Sequence, residues 1–145
     1  MAKFIEHEIR INTTGVSFER LDGEVVIISF ETGKYFNSNG SAADLLYLIE
    51  NGIPQSEWEK ILGRFFVDFQ LNATHIEEFL KQIIEEKVAI IGLATPTGLT
   101  ELPSDYSRGP WSPPRLRVFE DLADLLLIDP IHDTSLEGWP KAQNG

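Results

Sequence analysis

Eight residues, EVVIISFE at 24–31, limit the fold more than any other stretch. They are β-branched and almost continuously apolar, which suits a strand covered on both sides. Asp22-Gly23 stands just before them, and an Asp-Gly pair readily takes the two positive-φ positions of a tight hairpin. Upstream of that turn, VSFERL at 16–21 sets Val16, Phe18 and Arg20 against Ser17, Glu19 and Leu21. That alternation leaves its inward face open. Thr32-Gly33 then reverses the chain into KYFNSN at 34–39, a short third strand. HEIRIN at 7–12 is a candidate for a further strand. A three-stranded antiparallel sheet is the expected start of the chain.

Three helices are expected next. SAADLLYLIENG has Ser41 as N-cap and Gly52 as a stop after Asn51. SEWEKILGRFFVDF pairs Ser56 with Glu59 as a capping box, and Trp58, Ile61, Leu62, Phe65 and Phe66 share one helical face. THIEEFLKQIIEEKVAII repeats the device with Thr74 and Glu77, its face being Ile76, Phe79, Leu80, Ile83 and Ile84. Residues 94–110, ATPTGLTELPSDYSRGP, have prolines and glycines without periodicity and read as a linker. The expected organisation is an α+β domain over 1–93, a linker over 94–110 and a tail over 111–145.

Composition removes several function classes. Apolar residues make up 42% of the 145, enough for a core. No apolar run approaches the roughly 20 residues that span a bilayer, and MAKFIEHEIR lacks the apolar region of a signal peptide. A cytoplasmic protein with no membrane partner is expected. Without cysteine there is no disulfide, thiol nucleophile or thiolate metal site. The net charge is −11 with no basic stripe, so a nucleic-acid partner is not expected.

A short sheet with an exposed edge invites an extended peptide to pair with it. The stretch VVIISFETGKYFNSNGSAADLLYLIENG, followed by SEWEKILGRFFVDFQLNATHIEEFLKQIIEEKVAII, resembles the PqqD family. That family includes the peptide chaperone of pyrroloquinoline-quinone biosynthesis and the domains that recognise leader peptides of ribosomally made, modified peptides. The resemblance covers about residues 15–92; Phe36 stands where the family usually has Leu before Asn. It implies a winged-helix-like domain in which a leader peptide docks as an added strand between the third strand and third helix. Carried over, the strand side of this groove is Lys34, Tyr35, Phe36 and Asn37, with Tyr35 and Lys34 near the peptide edge. The helix side draws on Ile76, Phe79, Leu80, Ile83 and Ile84, most of which an amphipathic helix would spend on its own core.

The tail has a second resemblance. Leader peptides of lasso-type pathways often carry Tyr-x-x-Pro-x-Leu, and residues 111–116 read Trp-Ser-Pro-Pro-Arg-Leu. An aromatic ring supplies a large anchor, proline pre-extends the chain, and leucine fills a second pocket. About fifteen linker residues reach at most ~50 Å, ample to return the tail to its own domain. Tethering would then give an effective concentration in the millimolar range. The other reading makes the C-terminal extension partly helical: an amphipathic helix over 116–127, with Ser112 as a candidate N-cap, Pro113 at N1, and Leu116, Phe119, Leu122, Ala123, Leu126 and Leu127 on one face, which can coexist with an extended 111–115. The expected docking residues are Trp111, Pro114, Leu116 and Phe119.

DPIHD brings Asp129, His132 and Asp133 together, more often a capped turn than a metal site. EGWP at 137–140 offers another aromatic anchor. There is no phosphate loop, nucleophile context or spaced carboxylate pair, so neither catalysis nor a cofactor or metal is expected. The expected function is a non-catalytic chaperone that binds a precursor or leader peptide and presents it to a peptide-modifying enzyme. Its tail would dock in the groove in cis, in a swapped dimer, or on the partner enzyme. The alternatives are a winged-helix transcription regulator and a structural subunit whose tail completes a partner's fold.

Overall fold

The computed structural model describes residues 4–104 and 106–120. Its elements run β1 (Ile9–Ile11), β2 (Val16–Leu21), β3 (Glu24–Ser29), β4 (Tyr35–Asn39), α1 (Gly40–Glu50), α2 (Gln55–Phe65), α3 (Ala73–Glu85), β5 (Ala89–Ile91) and β6 (Arg117–Phe119). The fold is α+β with antiparallel sheets. Among the described residues no helix is long and apolar enough to cross a membrane.

Asp22 and Gly23, with φ of 48° and 82°, close the β2–β3 hairpin as the Asp-Gly pair predicts. The inward face of β2 is Val16, Phe18 and Arg20, opposite Ser29, Ile27 and Val25. Arg20 is tolerated there because it sits at the rim. Its guanidinium donates to the Ala43 carbonyl at 3.1 Å, pairs with Glu50, and lies over the Phe18 and Tyr47 rings. Val25, Ile27 and Phe36 on the inner face are fully buried with Leu45, Leu46, Leu48, Trp58, Leu62, Ile76, Leu80 and Ile83 of the helices. This one core fixes the position of β4 relative to α3.

Several local expectations are corrected. The main sheet has four strands, in the order β2-β3-β4-β6, because the tail adds to it. A separate two-stranded sheet pairs β1, the HEIRIN segment, with β5. The third helix stops at Glu85 rather than running on; Lys87 has φ of 62°, and the apolar residues after it pair as β5. The second helix stops at Phe65, where Phe66 becomes extended. None of the three expected caps forms. Asn39 precedes α1 and Pro54 precedes α2, each without a side-chain cap, while Asn72 caps α3 by accepting from the Thr74 and His75 amides. Asn72 wins over Thr74 because its carbonyl oxygen reaches both free amides of the first turn.

Residues of the 94–110 segment touch the domain. Leu102 is buried, and Gly52, at φ of 69°, lets residues 95–96 pass so closely that a Cβ there would meet Pro96 backbone at 2.8 Å. The alternative of a helix begun at Ser112 is not followed over the described residues: 111–116 are irregular and 117–119 form a strand. Pro114 disfavours the helical conformation at Pro113, and the open edge of β4 supplies a partner instead. Leu122, Ala123, Leu126, Leu127, the Asp129-His132-Asp133 cluster and residues 137–140 lie outside the described residues.

Candidate peptide-binding groove

Without β6, β4 would be an edge strand with a row of unpaired N–H and C=O groups. β6 pairs with it antiparallel, setting Tyr35 opposite Phe119, Phe36 opposite Val118 and Asn37 opposite Arg117. Strand alternation sorts these pairs. Phe36 and Val118 face the helices, and Phe36 is fully buried. Tyr35, Asn37, Arg117 and Phe119 occupy the opposite face.

One residue before β6 the chain passes under α3. There a single side chain satisfies both backbone groups of Leu116. Its N–H donates to Gln82 Oε1 at 3.1 Å, and Gln82 Nε2 donates to its carbonyl at 3.1 Å. The Leu116 side chain is buried in the main core. Gln82 therefore acts as a surrogate strand: its amide has one donor end and one acceptor end, as a peptide group has. Sequence reasoning missed it, since a glutamine beside an apolar stripe looks like an ordinary solvated residue.

The rest of the segment is held at its backbone as well. Ser38 Oγ donates to the Arg115 carbonyl at 3.4 Å and Ser41 Oγ to the Ser112 carbonyl at 2.6 Å. Ser41, expected as a helix cap, thus serves the tail. The Trp111 amide donates to Asp68 at 2.9 Å, and its ring stands edge-on to Phe66 and Phe69, with centroids at 5.3 and 4.8 Å. Such T-shaped pairs add to the burial of the rings. Pro114 is buried. A polar hollow of about 450 Å³ flanks Trp111 and Pro113, bounded by Asp68, Asn72 and His75.

Of the expected strand-side residues, Tyr35 and Asn37 meet the tail on the outer face and Phe36 pairs with Val118. Lys34 does not; its ammonium pairs with Glu86 at 3.2 Å and ties the start of β4 to the end of α3. On the helix side Ile76, Phe79, Leu80 and Ile83 are buried in the domain core, and Ile84 is half-buried against it. Trp111, Pro114, Leu116 and Phe119 all lie in the docked segment.

Upstream, a clasp fixes the chain that leads into the docked segment. Asp44 on α1 is fully buried and accepts from Tyr106 Oη at 2.7 Å and from Arg108 Nε and Nη2 at 2.7 and 3.0 Å. Arg108 also donates to Tyr106 Oη at 2.8 Å and lies over the Phe65 and Tyr106 rings. Burial, and then the Asp44 hydrogen bond and charge, push the Tyr106 phenol well above its ordinary range. Burial opposes the Arg108 cation, but the bonds and charge of Asp44 outweigh it and raise its pKa. A Cβ on Gly23 would meet the Tyr106 ring at 2.6 Å, so the hairpin glycine also makes room for the clasp.

Among the described residues no group of His, Asp and Glu is placed to hold a metal ion. No protein-family model, no curated protein and no solved structure matches the chain.

Proposed function

We propose that this chain is a peptide-recognition module, related to PqqD-like chaperones, that binds an extended peptide by strand addition at the β4 edge. It presents that peptide to a modifying enzyme, and residues 111–119 of its own chain are the ligand resident in the groove. The observation that carries this reading is the double hydrogen bond of Gln82 to the Leu116 backbone beside the β4–β6 ladder. Main-chain bonding with pockets for alternate side chains is the physics of β-augmentation. A segment tethered in cis competes at millimolar effective concentration, so a free peptide enters only once the resident one is weakened.

The test uses the full chain carrying Trp111→Ala and Leu116→Ala, titrated with a synthetic peptide of residues 110–120. The expected result is saturable binding by the variant, with chemical-shift changes at residues 35–37 and 82, and none by the unaltered chain at the same concentrations. Absence of binding to either protein would refute the reading.

A further inference from the structure

The outer face of the sheet carries a polar relay that the strand ladder does not require. The Arg117 guanidinium donates to Asn37 Oδ1, directly across the ladder. Asn37 stands opposite Val26, which makes Glu24 its diagonal neighbour on the same face. Its Nδ2 donates to Glu24 Oε2 at 2.7 Å.

A side-chain amide has a donor end and an acceptor end. The Glu24 carboxylate holds the donor end by a charge-assisted bond, so the acceptor oxygen is turned toward the incoming strand. Asn37 is only 5% exposed, and a flip would break that bond and set its oxygen against the carboxylate. A buried oxygen backed by a carboxylate favours a cation and repels an anion. The net charge of −11 acts in the same sense at long range.

We infer that Glu24 and Asn37 make the β4 edge selective for peptides with a cationic side chain immediately after the leucine held by Gln82. This rests on the peptide-recognition reading and adds the chemistry of the ligand: extended, apolar at the position of Leu116, basic at the next. Gln82 reads backbone and the leucine pocket reads size, whereas the relay reads charge at the position after the leucine.

The experiment uses the Trp111→Ala/Leu116→Ala full chain as receptor and three synthetic peptides of residues 110–120. They carry Arg, Ala or Glu at the position of Arg117. Hydrogen bonds to charged groups suggest about tenfold weaker binding for Ala and about a hundredfold for Glu. Adding Glu24→Gln to the receptor shrinks the Arg-to-Glu gap to about tenfold. Equal affinities for the three, or a gap untouched by Glu24→Gln, overturn the selectivity and leave peptide recognition standing. No binding by any peptide overturns both. Should the receptor fail to fold, Arg117→Ala and Arg117→Glu in the otherwise unaltered chain give the same order through faster hydrogen exchange at residues 35–37; unchanged exchange refutes the relay.

Discussion

Replacing Gln82 isolates the contact that sets this groove apart from an ordinary sheet edge. Its amide supplies both partners of the Leu116 backbone, at 3.1 Å each. Gln82→Leu keeps the side chain out to the δ position and removes both bonds. At about 1 kcal/mol net per bond the docked segment loses about 2 kcal/mol, which is roughly a thirtyfold rise in its open population. Gln82→Glu is more informative. Its carboxylate still accepts from the Leu116 N–H but places a second acceptor against the Leu116 carbonyl. Protonating that carboxyl restores a donor, so its pKa is higher in the docked state than the ordinary value of about 4.3 that it keeps when the tail is open. Tail docking in Gln82→Glu therefore strengthens as pH falls through the docked value and levels off below about 4.3, whereas Gln82→Leu shows no such recovery. Hydrogen exchange of residues 35–37 and 117–119 measures the opening, with α1 amides as the control for global stability. Unchanged exchange at the ladder, or an equal rise in α1, would refute the role given to Gln82.

Other outcomes follow from the clasp. Asp44→Ala leaves the Arg108 guanidinium, 6% exposed at its side chain, without its anion, and loss of one partner of a buried pair costs about 3–5 kcal/mol. Denaturant unfolding should show that loss; a change under 1 kcal/mol would mean that water takes over from Asp44. Tyr106 gives an alkaline signature. Its folded pKa lies above the ordinary 10.0, so its contribution is whole below about pH 10 and drains away as pH rises toward the folded value. Tyr106→Phe removes that part of the alkaline loss, and identical pH–stability curves for the two proteins would contradict the clasp.

What was legible in the sequence was what neighbours determine. Asp22-Gly23 and the β-branched run after it specified a hairpin, and the spacing of Ile76, Phe79, Leu80 and Ile83 specified a buried helical face. Caps were less legible, because each helix starts earlier than Ser41, Ser56 and Thr74 suggest, its N-cap position lying two residues upstream, and Ser41 is drawn to the tail. Leu116 and Phe119 fit a helical spacing as well as a strand, and only the open β4 edge chose between them. Gln82 and Leu116 are 34 residues apart, Asp44 and Arg108 are 64, and no local pattern marks either pair. The aromatic pocket of Phe66 and Phe69 is hidden for a related reason: the sequence pattern continues the second helix through both, whereas the helix ends at Phe65.

The central claim is that the edge of β4 is filled by residues 117–119 of the same molecule. Cross-strand nuclear Overhauser contacts between residues 35–37 and 117–119 in the full chain test it most directly, recorded over a dilution series. The expected result is contacts in the register Tyr35 to Phe119 and Asn37 to Arg117, independent of protein concentration. Their absence, or their loss on dilution, would contradict docking in cis.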